Sequence, residues 1–554
     1  MWINEVDEIF KAYLPYYVLV FLPIFIIVSP TSPVTASYEF PAYRMQHYDL
    51  HGTSYGSRAA SVNLEARALS TWSSSRHCLV TRLKDLSIDT FRNIKGKVGA
   101  LVIVLPESYT NLTRDEKQQM LLLENKMLFE EETTIPVYFV KHSKEMNNVV
   151  DDLSKSVDIN DKRKSAGENL YASVAANGYQ ITISTGTPSI RSDNKIATIH
   201  GHLAGYRSDG KVPTIVLVTH YDSFGVAPDL SYGVDSNGSG VIIMLELIRT
   251  LSTLYADTKT RGKFNLVFLL SGGGKFNFQG SKKWLEDQLD ATETTLLQEA
   301  SFVTCLDTLA TSGTIFMHVS KPPKEGSPAA VFHKYLKTAA EQYASVSVEG
   351  VHKKINLAED LLAWEHERYS IRRLPAFTLS SIKSHKDPWK STILDNRENL
   401  KYERLITNAK VIVEALGKYI LNVTEGDAFN GSLDINKANF DNWLRILSSQ
   451  PRSAQLLNTK DATLVTQIQS YLSKHLSDVK ITYAIPDKRD PDYQFYSITK
   501  GTMNIYRVKP AVFDLILTLA IITYLTLVYY TIHYVPALYS VCSNLMKNKK
   551  VRSS

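Results

Sequence analysis

Cysteine is scarce in this chain, which has only Cys78, Cys305 and Cys542 among its 554 residues. No two of them stand at the short spacing that is typical of a zinc site or a redox motif. The distribution allows at most one disulfide, between Cys78 and Cys305. The fold is therefore not one that depends on a disulfide framework.

A strong excess of charge is also missing, because 62 Lys and Arg against 56 Asp and Glu give a net charge of +6. The sequence has no basic stripe interleaved with aromatic residues, which is the pattern that nucleic-acid binding needs. Internal repeats and low-complexity tracts are absent as well. We therefore expect a globular protein of two or three domains with no nucleic-acid partner.

Two apolar segments set the expected topology, and residues 511–535 form the clearer one. This segment is long enough to cross a bilayer, for which about 20 residues suffice, and predicts a transmembrane helix over residues 507–535. The basic residues Lys547, Lys549 and Lys550 follow it. The positive-inside tendency places this tail, residues 536–554, in the cytosol, so that the body of the protein is lumenal or extracellular.

The other apolar segment, residues 13–30, is followed by short side chains that suit signal-peptidase cleavage before Ser37. Acidic residues outweigh Lys11 ahead of it, whereas a signal peptide usually begins with positive charge. Residues 1–36 are therefore predicted to be either a cleaved signal peptide or an N-terminal anchor that stays in place.

Sequons agree with a secretory compartment, because N-linked glycans are added there. Candidate acceptors are Asn111, Asn422 and Asn430. A fourth sequon begins at Asn237 inside a glycine-rich motif, where we expect the side chain to be too enclosed for modification.

The body of the chain alternates apolar runs of strand length with helical stretches. Two such runs lie in a predicted N-terminal α/β region, residues 37–195. The alternation is stronger in residues 196–425, where PTIVLVTHYD, FNLVFLLS and SFVTCLDT read as strands. Continuous apolar strands between helices predict an α/β fold with a mostly parallel central sheet and helices on both faces. Residues 426–506 are predicted to form a helical region next to the membrane.

Polar residues stand at the ends of the predicted strands, which is where sites in such sheets usually lie. His220 and Asp222 are two residues apart after one strand, so they would share a face as a metal ligand and its orienting carboxylate often do. Asp307 ends another strand, and His366 and His385 follow farther along. Each residue alone is more simply explained as structural or exposed, so their order carries the argument.

That order resembles the zinc aminopeptidase family M28, which includes glutamate carboxypeptidase, glutaminyl cyclase and nicastrin branches. In the family a His leads an H-x-D motif, a bridging Asp lies in a glycine-rich turn, and a Glu-Glu pair supplies the general base and a ligand. A later Asp and a final His complete the site. The resemblance assigns these roles to His220 with Asp222, to Asp307 and to His385. His366 matches a family stretch that does not bind the metal.

The chain departs from the family pattern at the other positions. In GVDSNGSG the bridging position holds Ser236, with Asp235 displaced by one residue. In SGGGKFNFQGS the two glutamate positions hold Gly274 and Lys275. A two-metal hydrolase needs carboxylates to hold its cations and a base to take a proton from water. The resemblance therefore implies a pseudo-peptidase with no catalytic residue, no metal and no cofactor.

A lysine at position 275 would itself disfavour the binding of a metal ion. An ammonium that points inward repels a divalent ion at about 4 Å by roughly 8 kcal/mol at an effective dielectric of about 20. We hypothesise that this ammonium lies beside His220, Asp235 or Asp307 and replaces the missing cation. Turning Lys275 outward or deprotonating it would not restore the missing base.

Longer segments resemble the nicastrin-related, catalytically degenerate branch of the family, from about residue 39 to the final apolar span. These segments are YRMQHYDLHG, THYDSFGVAPDLSYGVDSNGSG, SGGGKFNFQGSKKWLED, VSKPPKEG, INLAEDLLAWEHERYSIRRLPAFTLS and YRVKPAVFDL. The resemblance implies a single-span scaffold of the endoplasmic reticulum membrane with a lumenal body. It implies as partners the Nodal modulator protein and a small multi-pass membrane protein at the multi-pass translocon. It also implies effects on Nodal signalling and receptor assembly, with no small-molecule substrate.

Two other hypotheses stay open. One is a divergent zinc aminopeptidase with displaced ligands such as Asp235 and Glu286 or Asp287, although a helix residue about a dozen positions away cannot reach the same point without rebuilding the turn. The other is a pseudo-peptidase whose cleft binds peptide termini or a small ligand. The apolar span raises a separate choice between a plain anchor and a helix that binds partners. Its candidate contact residues are Thr518, Thr523, Thr526 and Thr531.

Overall fold

The computed structural model describes most of the chain from Ser37 onward. The described residues are 37–72, 76–129, 132–155, 178–206, 211–291, 296–423, 426, 428–429, 433–457, 463–489, 491–497, 499–508 and 511–551. The predicted signal peptide or anchor, residues 1–36, and the sequon at Asn430 lie outside these residues.

An eight-stranded sheet forms the centre of the molecule. Its strands are β9 (Ile196–Leu203), β10 (Thr214–His220), β11 (Asn265–Ser271), β12 (Ala300–Leu306), β13 (Thr314–Val319), β14 (Ser347–His352), β15 (Ala376–Ser380) and β16 (Ser477–Ala484). They lie in the order β14-β13-β15-β12-β10-β11-β9-β16. Strands β15, β12, β10 and β11 run parallel to one another. At one side β9 pairs antiparallel with β11 and β16 pairs antiparallel with β9, and at the other side β13 pairs antiparallel with β15. The predicted α/β sheet is confirmed.

Helices cover both faces of this sheet, because the apolar residues of the central strands alternate between two cores. Along β10, Ile215 and Leu217 face one core, and Val216 and Val218 face the other. The covering helices are α4 (Gly238–Ala256), α5 (Gln279–Asp290), α6 (Pro328–Glu341), α7 (His366–Ile371), α8 (Tyr402–Leu421), α9 (Lys437–Ser449) and α10 (Thr463–His475). Helix α4 is buried along almost its whole length. Its apolar sequence therefore reflects its central position in the fold.

The N-terminal region builds most of a closed seven-stranded barrel. Its strands are β1 (Tyr38–Arg44), β4 (Val62–Ala68), β5 (Cys78–Arg82), β6 (Ala100–Val104), β7 (Val137–Val140), β8 (Gly178–Ile183) and β18 (Lys500–Val508). Strands β5, β6 and β7 are parallel. The helices of this region are α1 (Ile88–Ile94), α2 (Arg114–Phe129) and α3 (Lys144–Lys155). The predicted α/β character of this region is confirmed.

Residues 426–506, predicted to be helical, also supply one strand to each sheet of the molecule. Strand β16 joins the central sheet and β18 closes the barrel between β1 and β8. A third strand, β17 (Tyr493–Phe495), joins β2 (His47–Leu50) and β3 (Thr53–Gly56) in a small sheet. The helical expectation was too broad because Met503 and Ile505 of β18 are buried and alternate with half-buried neighbours, the period of a half-buried strand.

The last described element is the long helix α11 (Ala511–Val551), which continues past the predicted end of the span at residue 535. It exposes large apolar side chains, for example Leu515 and Leu527. Of the described helices only α4 meets the length and apolarity expected of a whole membrane span, and it lies in the core. The apolar stretch of α11, Leu515–Tyr530, is shorter.

The predicted possibility of a disulfide between Cys78 and Cys305 is wrong, because both thiols are free and buried. Cys78 lies on β5 of the barrel, and Cys305 lies on β12 of the central sheet. The two thiols belong to separate hydrophobic cores. Burial raises the pKa of Cys78 to about 12, so this thiol stays protonated.

A buried arginine from the C-terminal part of the chain fastens the loops that follow β10. The Arg452 guanidinium donates to the carbonyl oxygens of Tyr221, Tyr232 and Gly233. The backbone carbonyl of Arg452 accepts the N–H of Ser223 at 2.8 Å. Burial lowers the pKa of Arg452 to about 10, so the guanidinium stays charged at neutral pH.

We predict that Arg452→Met lowers the free energy of unfolding by about 3 kcal/mol, because three carbonyl groups, two of them buried, lose their donor at roughly 1 kcal/mol each. Thermal and denaturant unfolding of the full chain in detergent measure this loss. The matched control is Arg445→Met, since Arg445 is exposed and bonds Asn442 within its own helix. A loss as small as that of the control would contradict the structural role of Arg452.

Candidate functional site

The predicted site residues converge at the carboxyl ends of three neighbouring strands. His220 is the last residue of β10, Asp307 follows β12, and the turn with Gly274 and Lys275 follows β11. All four line one cleft of about 650 Å³, and His385 lies on its wall. Convergence at this edge follows from the parallel sheet, since the carboxyl ends of parallel strands meet on the same side.

His220 is held by a carboxylate that the sequence motif does not contain. Its Nδ1 lies 3.4 Å from Oε2 of Glu365, and both side chains are buried. The other oxygen of Glu365 accepts the hydroxyls of Ser271 and Ser281, each at 2.7 Å. The Nε2 atom of His220 is buried and has no hydrogen-bond partner among the described residues. The ring therefore keeps one free nitrogen.

Asp222 does not orient His220, so this part of the prediction is wrong. Its two carboxylate oxygens accept the backbone N–H groups of Gly274 at 2.8 Å and Lys275 at 3.1 Å. The reason is that His220 is the last residue of β10 and Asp222 already belongs to the following loop. There the carboxylate fixes the neighbouring turn.

The GVDSNGSG turn is fixed in the same way by a second buried carboxylate. Asp395 accepts the backbone N–H groups of Asp235 at 2.8 Å and Ser236 at 2.7 Å. Burial raises the pKa of Asp395, and the nearby carboxyl of Asp235 raises it further. Asn237 is buried and donates to the carbonyl oxygens of His220 and Leu306. The expectation that its sequon is enclosed is confirmed.

Asp235 turns its carboxylate away from the cleft. Its oxygens accept the N–H of Ala310 at 2.8 Å and the hydroxyl of Thr311 at 2.6 Å. Burial raises the pKa of Asp235 despite these donors. Its contacts give it a role in fixing loops, and it is not among the residues that line the cleft.

Lys275 points into the site, as hypothesised, but its direct partners differ from the expected ones. Its Nζ donates to the Ser236 hydroxyl at 2.6 Å and to the Lys390 carbonyl at 3.1 Å. Burial lowers the pKa of Lys275 to about 8, while the carboxylate of Asp307 opposes that shift. Most of the population is therefore an ammonium at neutral pH.

A second lysine supplies the direct countercharge that was expected of Lys275. The Nζ of Lys390 lies 2.7 Å from Oδ2 of Asp307, which is fully buried. The same ammonium lies 4.0 Å above the ring of Trp364, a cation–π contact. No motif singles out Lys390, and its only signal in the sequence is its place five residues after His385.

The charge of Asp307 is set by these lysines. Burial by itself would raise the pKa of Asp307, but Lys390, His220 and Lys275 together hold it well below its ordinary value. The remaining oxygen, Oδ1, accepts the hydroxyl of Thr308 at 2.7 Å. Asp307 is therefore an ionised carboxylate with both oxygens bonded.

A zinc centre of the aminopeptidase type does not fit these residues. A Cβ atom added at Gly274 would clash with Cγ of His220, so a glutamate cannot stand at this point of the turn without displacing His220. Asp307 is already paired with an ammonium, and the ammonium of Lys275 points into the same cleft. Within the described ranges, no three His, Cys, Asp or Glu side chains come together to hold a metal ion.

The remaining candidate residues are placed as follows. His385 is half-buried on the cleft wall, and burial with nearby lysines lowers its pKa to about 4, which leaves it neutral. His366 is buried and bonds Thr378 and Ser320, consistent with a structural role. Asp287 pairs with Lys283 one turn along α5, at 2.6 Å, and is not in the cleft lining.

We predict that Lys390→Met lowers the free energy of unfolding by about 3 kcal/mol at neutral pH, because it leaves the buried carboxylate of Asp307 without its ion-pair partner. Adding Asp307→Asn should recover most of that loss, since the amide carries no charge. Unfolding of the full chain in detergent measures both values. The control is Lys383→Met, because Lys383 is exposed and its pair with Glu349, at 3.8 Å, lies on the surface.

The loss caused by Lys390→Met should shrink as pH falls. In the parent chain the pKa of Asp307 is depressed, so its stabilisation is present above the ordinary value of 3.8 and is lost below it. Without Lys390, burial raises the pKa of Asp307, and protonation in the folded state then relieves the cost in mild acid. A loss that is independent of pH, or no recovery in the double variant, would contradict the ion pair.

Comparison with known proteins agrees with this geometry. Residues 199–416 match the family model of peptidase family M28. The crystal structure of the gamma-secretase component nicastrin superposes with a TM-score of 0.60 at 11% identity, covering 86% of this chain and 100% of that one. That likeness confirms the M28 aminopeptidase-like, nicastrin-like fold.

Curated relatives match nearly the whole chain. The BOS complex subunit NCLN of Homo sapiens is 42% identical over 550 residues, covering 97% of each protein. Nicalin of Caenorhabditis elegans is 30% identical over 520 residues, covering 89% of each. The longer sequence segments resemble the nicastrin-related branch of the M28 peptidases. With this similarity along its length, the chain belongs to that branch, the nicalin family.

Proposed function

We propose that this chain is a non-catalytic subunit of a BOS-type membrane complex, in which its peptidase-like domain serves as a scaffold. The observation that carries the proposal is the buried ion pair between Lys390 and Asp307, at 2.7 Å. It supplies within the chain the positive charge that a hydrolase takes from metal ions. The name of the Homo sapiens relative, BOS complex subunit NCLN, supports the complex.

The proposed location is the endoplasmic reticulum membrane, with a single span, the main domain in the lumen and the basic tail in the cytosol. Helix α11 supports the anchor, because its apolar stretch Leu515–Tyr530 exposes large side chains such as Leu515 and Leu527. The lysines at its end, including Lys549 and Lys550, favour a cytosolic tail by the positive-inside tendency.

The proposed partners are the Nodal modulator protein and a small multi-pass membrane protein, at the translocon that inserts multi-pass proteins. This part rests on the resemblance of the longer sequence segments to the nicastrin-related branch. Effects on Nodal signalling and on receptor assembly would follow from that role. A divergent zinc aminopeptidase is the weaker candidate, because Gly274 has no room for a base.

Metal content and turnover together test the non-catalytic proposal. The full chain, purified in detergent and incubated with excess zinc, should retain far less than one zinc per chain after desalting. It should not cleave a panel of aminopeptidase and carboxypeptidase substrates. Stoichiometric zinc with turnover that His220→Ala abolishes would show a divergent enzyme instead.

Co-purification tests the scaffold proposal separately. Replacing α11 by an unrelated apolar helix of equal length should remove the proposed membrane partners, whereas Lys275→Met should leave them bound. The difference arises because the proposal assigns no partner contact to the cleft floor. If both variants keep the partners bound, a role for α11 in assembly is contradicted.

We predict that Asn111→Gln and Asn422→Gln each remove one glycan from the mature protein, because both acceptors are exposed. Gel mobility before and after peptide N-glycosidase treatment measures the change. Asn442→Gln is the control, since Asn442 is also exposed but begins no sequon. A parent protein whose mobility does not change on glycosidase treatment would contradict a lumenal main domain.

A further inference from the structure

Strand β14 is an open edge of the central sheet. It stands last in the strand order, and among the described strands it pairs only with β13, in parallel and in one register over its whole length. Four of its residues are exposed, namely Ser347, Glu349, Gly350 and His352. The unpaired backbone groups of such an edge can bind a strand from another polypeptide.

The hydrogen bonds to β13 show which backbone groups of β14 face outward. The N–H groups of Ser347 and Lys353 donate to carbonyl oxygens on the β13 side, at 3.1 and 3.0 Å. Successive residues of a strand direct their N–H and C=O groups to opposite sides, so every second residue turns these groups away from β13. The outward residues are Val348, Gly350 and His352.

The opposite edge of the sheet, β16, is protected in a way that β14 is not. The pairing of β16 with β9 shifts register between Ser477 and Lys480, and Pro486 follows the strand closely. Bulges and prolines are common devices against the addition of a further strand. Strand β14 contains neither, so it is the better edge for a partner.

Lysines lie beside β14 on both faces of the sheet. On the face toward α6, a Cβ atom at Gly350 would lie 3.9 Å from the ring of His333. Lys337 follows His333 by one turn, on the same side of α6. On the other face the ammonium of Lys383 lies 3.8 Å from the carboxylate of Glu349. A strand added to this edge would therefore have a lysine beside each of its faces.

Carboxylates near β14 do not balance the lysines. Residues 321–354, which contain α6 and β14, have six lysines against three glutamates and no arginine or aspartate. Glu349 is already paired with Lys383, and Lys353 has Glu367 at 4.0 Å. The excess of positive charge repels the identical edge of a second copy and attracts an acidic segment.

We propose that the β14 edge binds an extended acidic segment of another protein, which adds to the central sheet as a further strand. The backbone of this segment pairs with the outward groups of Val348, Gly350 and His352, and its acidic side chains lie beside Lys337 and Lys383. This inference deepens the scaffold role and rests on it, because it names the kind of partner that the scaffold takes on this surface.

Three matched peptides test the proposal with the full chain in detergent. The probe is acetyl-Thr-Glu-Val-Glu-Val-Glu-Thr-amide. One control has lysine in place of each glutamate, and the other has N-methyl groups on its three central residues, which removes donors from both edges of the peptide. The acidic probe should bind at least about tenfold more tightly than either control, because each control loses the charge attraction or the backbone hydrogen bonds.

Each other result with these peptides overturns the proposal. Equal binding of the N-methylated peptide would show charge attraction without an added strand. Equal binding of the lysine peptide would show that the edge does not select acidic segments. No binding of the acidic probe would show that the edge takes no strand of this kind.

Hydrogen exchange, read residue by residue with mass spectrometry, locates the bound probe. A saturating concentration should slow exchange of the Gly350 and His352 amides at least about tenfold. The amides of Glu349 and Val351 face β13 and should change little. Equal slowing of all four amides, or of none, would contradict pairing at this edge.

Gly350 offers a matched pair of variants. Gly350→Pro should weaken binding of the acidic probe by about tenfold, because it removes an outward N–H and places the ring where the added strand would lie; proline is tolerated at a sheet edge. Gly350→Ala keeps the N–H and should bind like the parent chain, since its Cβ has room. Equal affinity of the two variants, with thermal midpoints equal to that of the parent, overturns the proposal.

Sedimentation of the full chain detects a different occupant of the edge. A dimer that Gly350→Pro abolishes would show that a second copy covers β14, and it would overturn the acidic partner. The tests of zinc, turnover and α11 do not involve β14. Failure of the probe to bind therefore rejects only this edge, whereas zinc with turnover rejects the non-catalytic role itself.

Discussion

A carboxylate that is buried at the end of a central strand has to be neutralised, and the whole site depends on how this happens. Asp307 is fully buried, and the ammonium of Lys390 lies 2.7 Å from it. Removing an ion from water costs several kcal/mol, roughly, unless a partner charge and further hydrogen bonds compensate. The chain meets this requirement internally, so the strand ends can stay closely packed without an external cation.

Two further buried carboxylates next to the cleft fix backbone turns. Asp222 binds the N–H groups of the turn after β11, and Asp395 binds those of the turn before α4. The loop that carries Lys390 is fastened in turn to the N-terminal region, because Glu124 on α2 accepts the N–H of Ile393 at 2.9 Å. A rigid, cross-linked centre of this kind suits a scaffold, in which fixed surfaces matter more than chemistry.

The sequence predicted the sheet and the positions at its edge well, because continuous apolar strands and the order of polar residues are local features. It could not predict that Glu365 holds His220, that Asp222 binds a backbone turn, or that Lys390 pairs with Asp307. These contacts join residues more than 50 positions apart, and they depend on loop paths that carry no periodic pattern. Strand β18 was missed although it carries the two-residue period of a half-buried strand, and its pairing with β1 at the other end of the chain has no local signal.

Zinc-edge anomalous scattering from crystals of the full chain grown with excess zinc would test the replacement of the metal by lysine most directly. If lysine replaces the metal ion, the cleft will show no anomalous peak and the Lys390 ammonium will contact Asp307. A peak coordinated by His220 and Asp307, with Lys390 turned away, would contradict it. That result would show that the lysines yield to a metal ion and that the site is a metal centre after all.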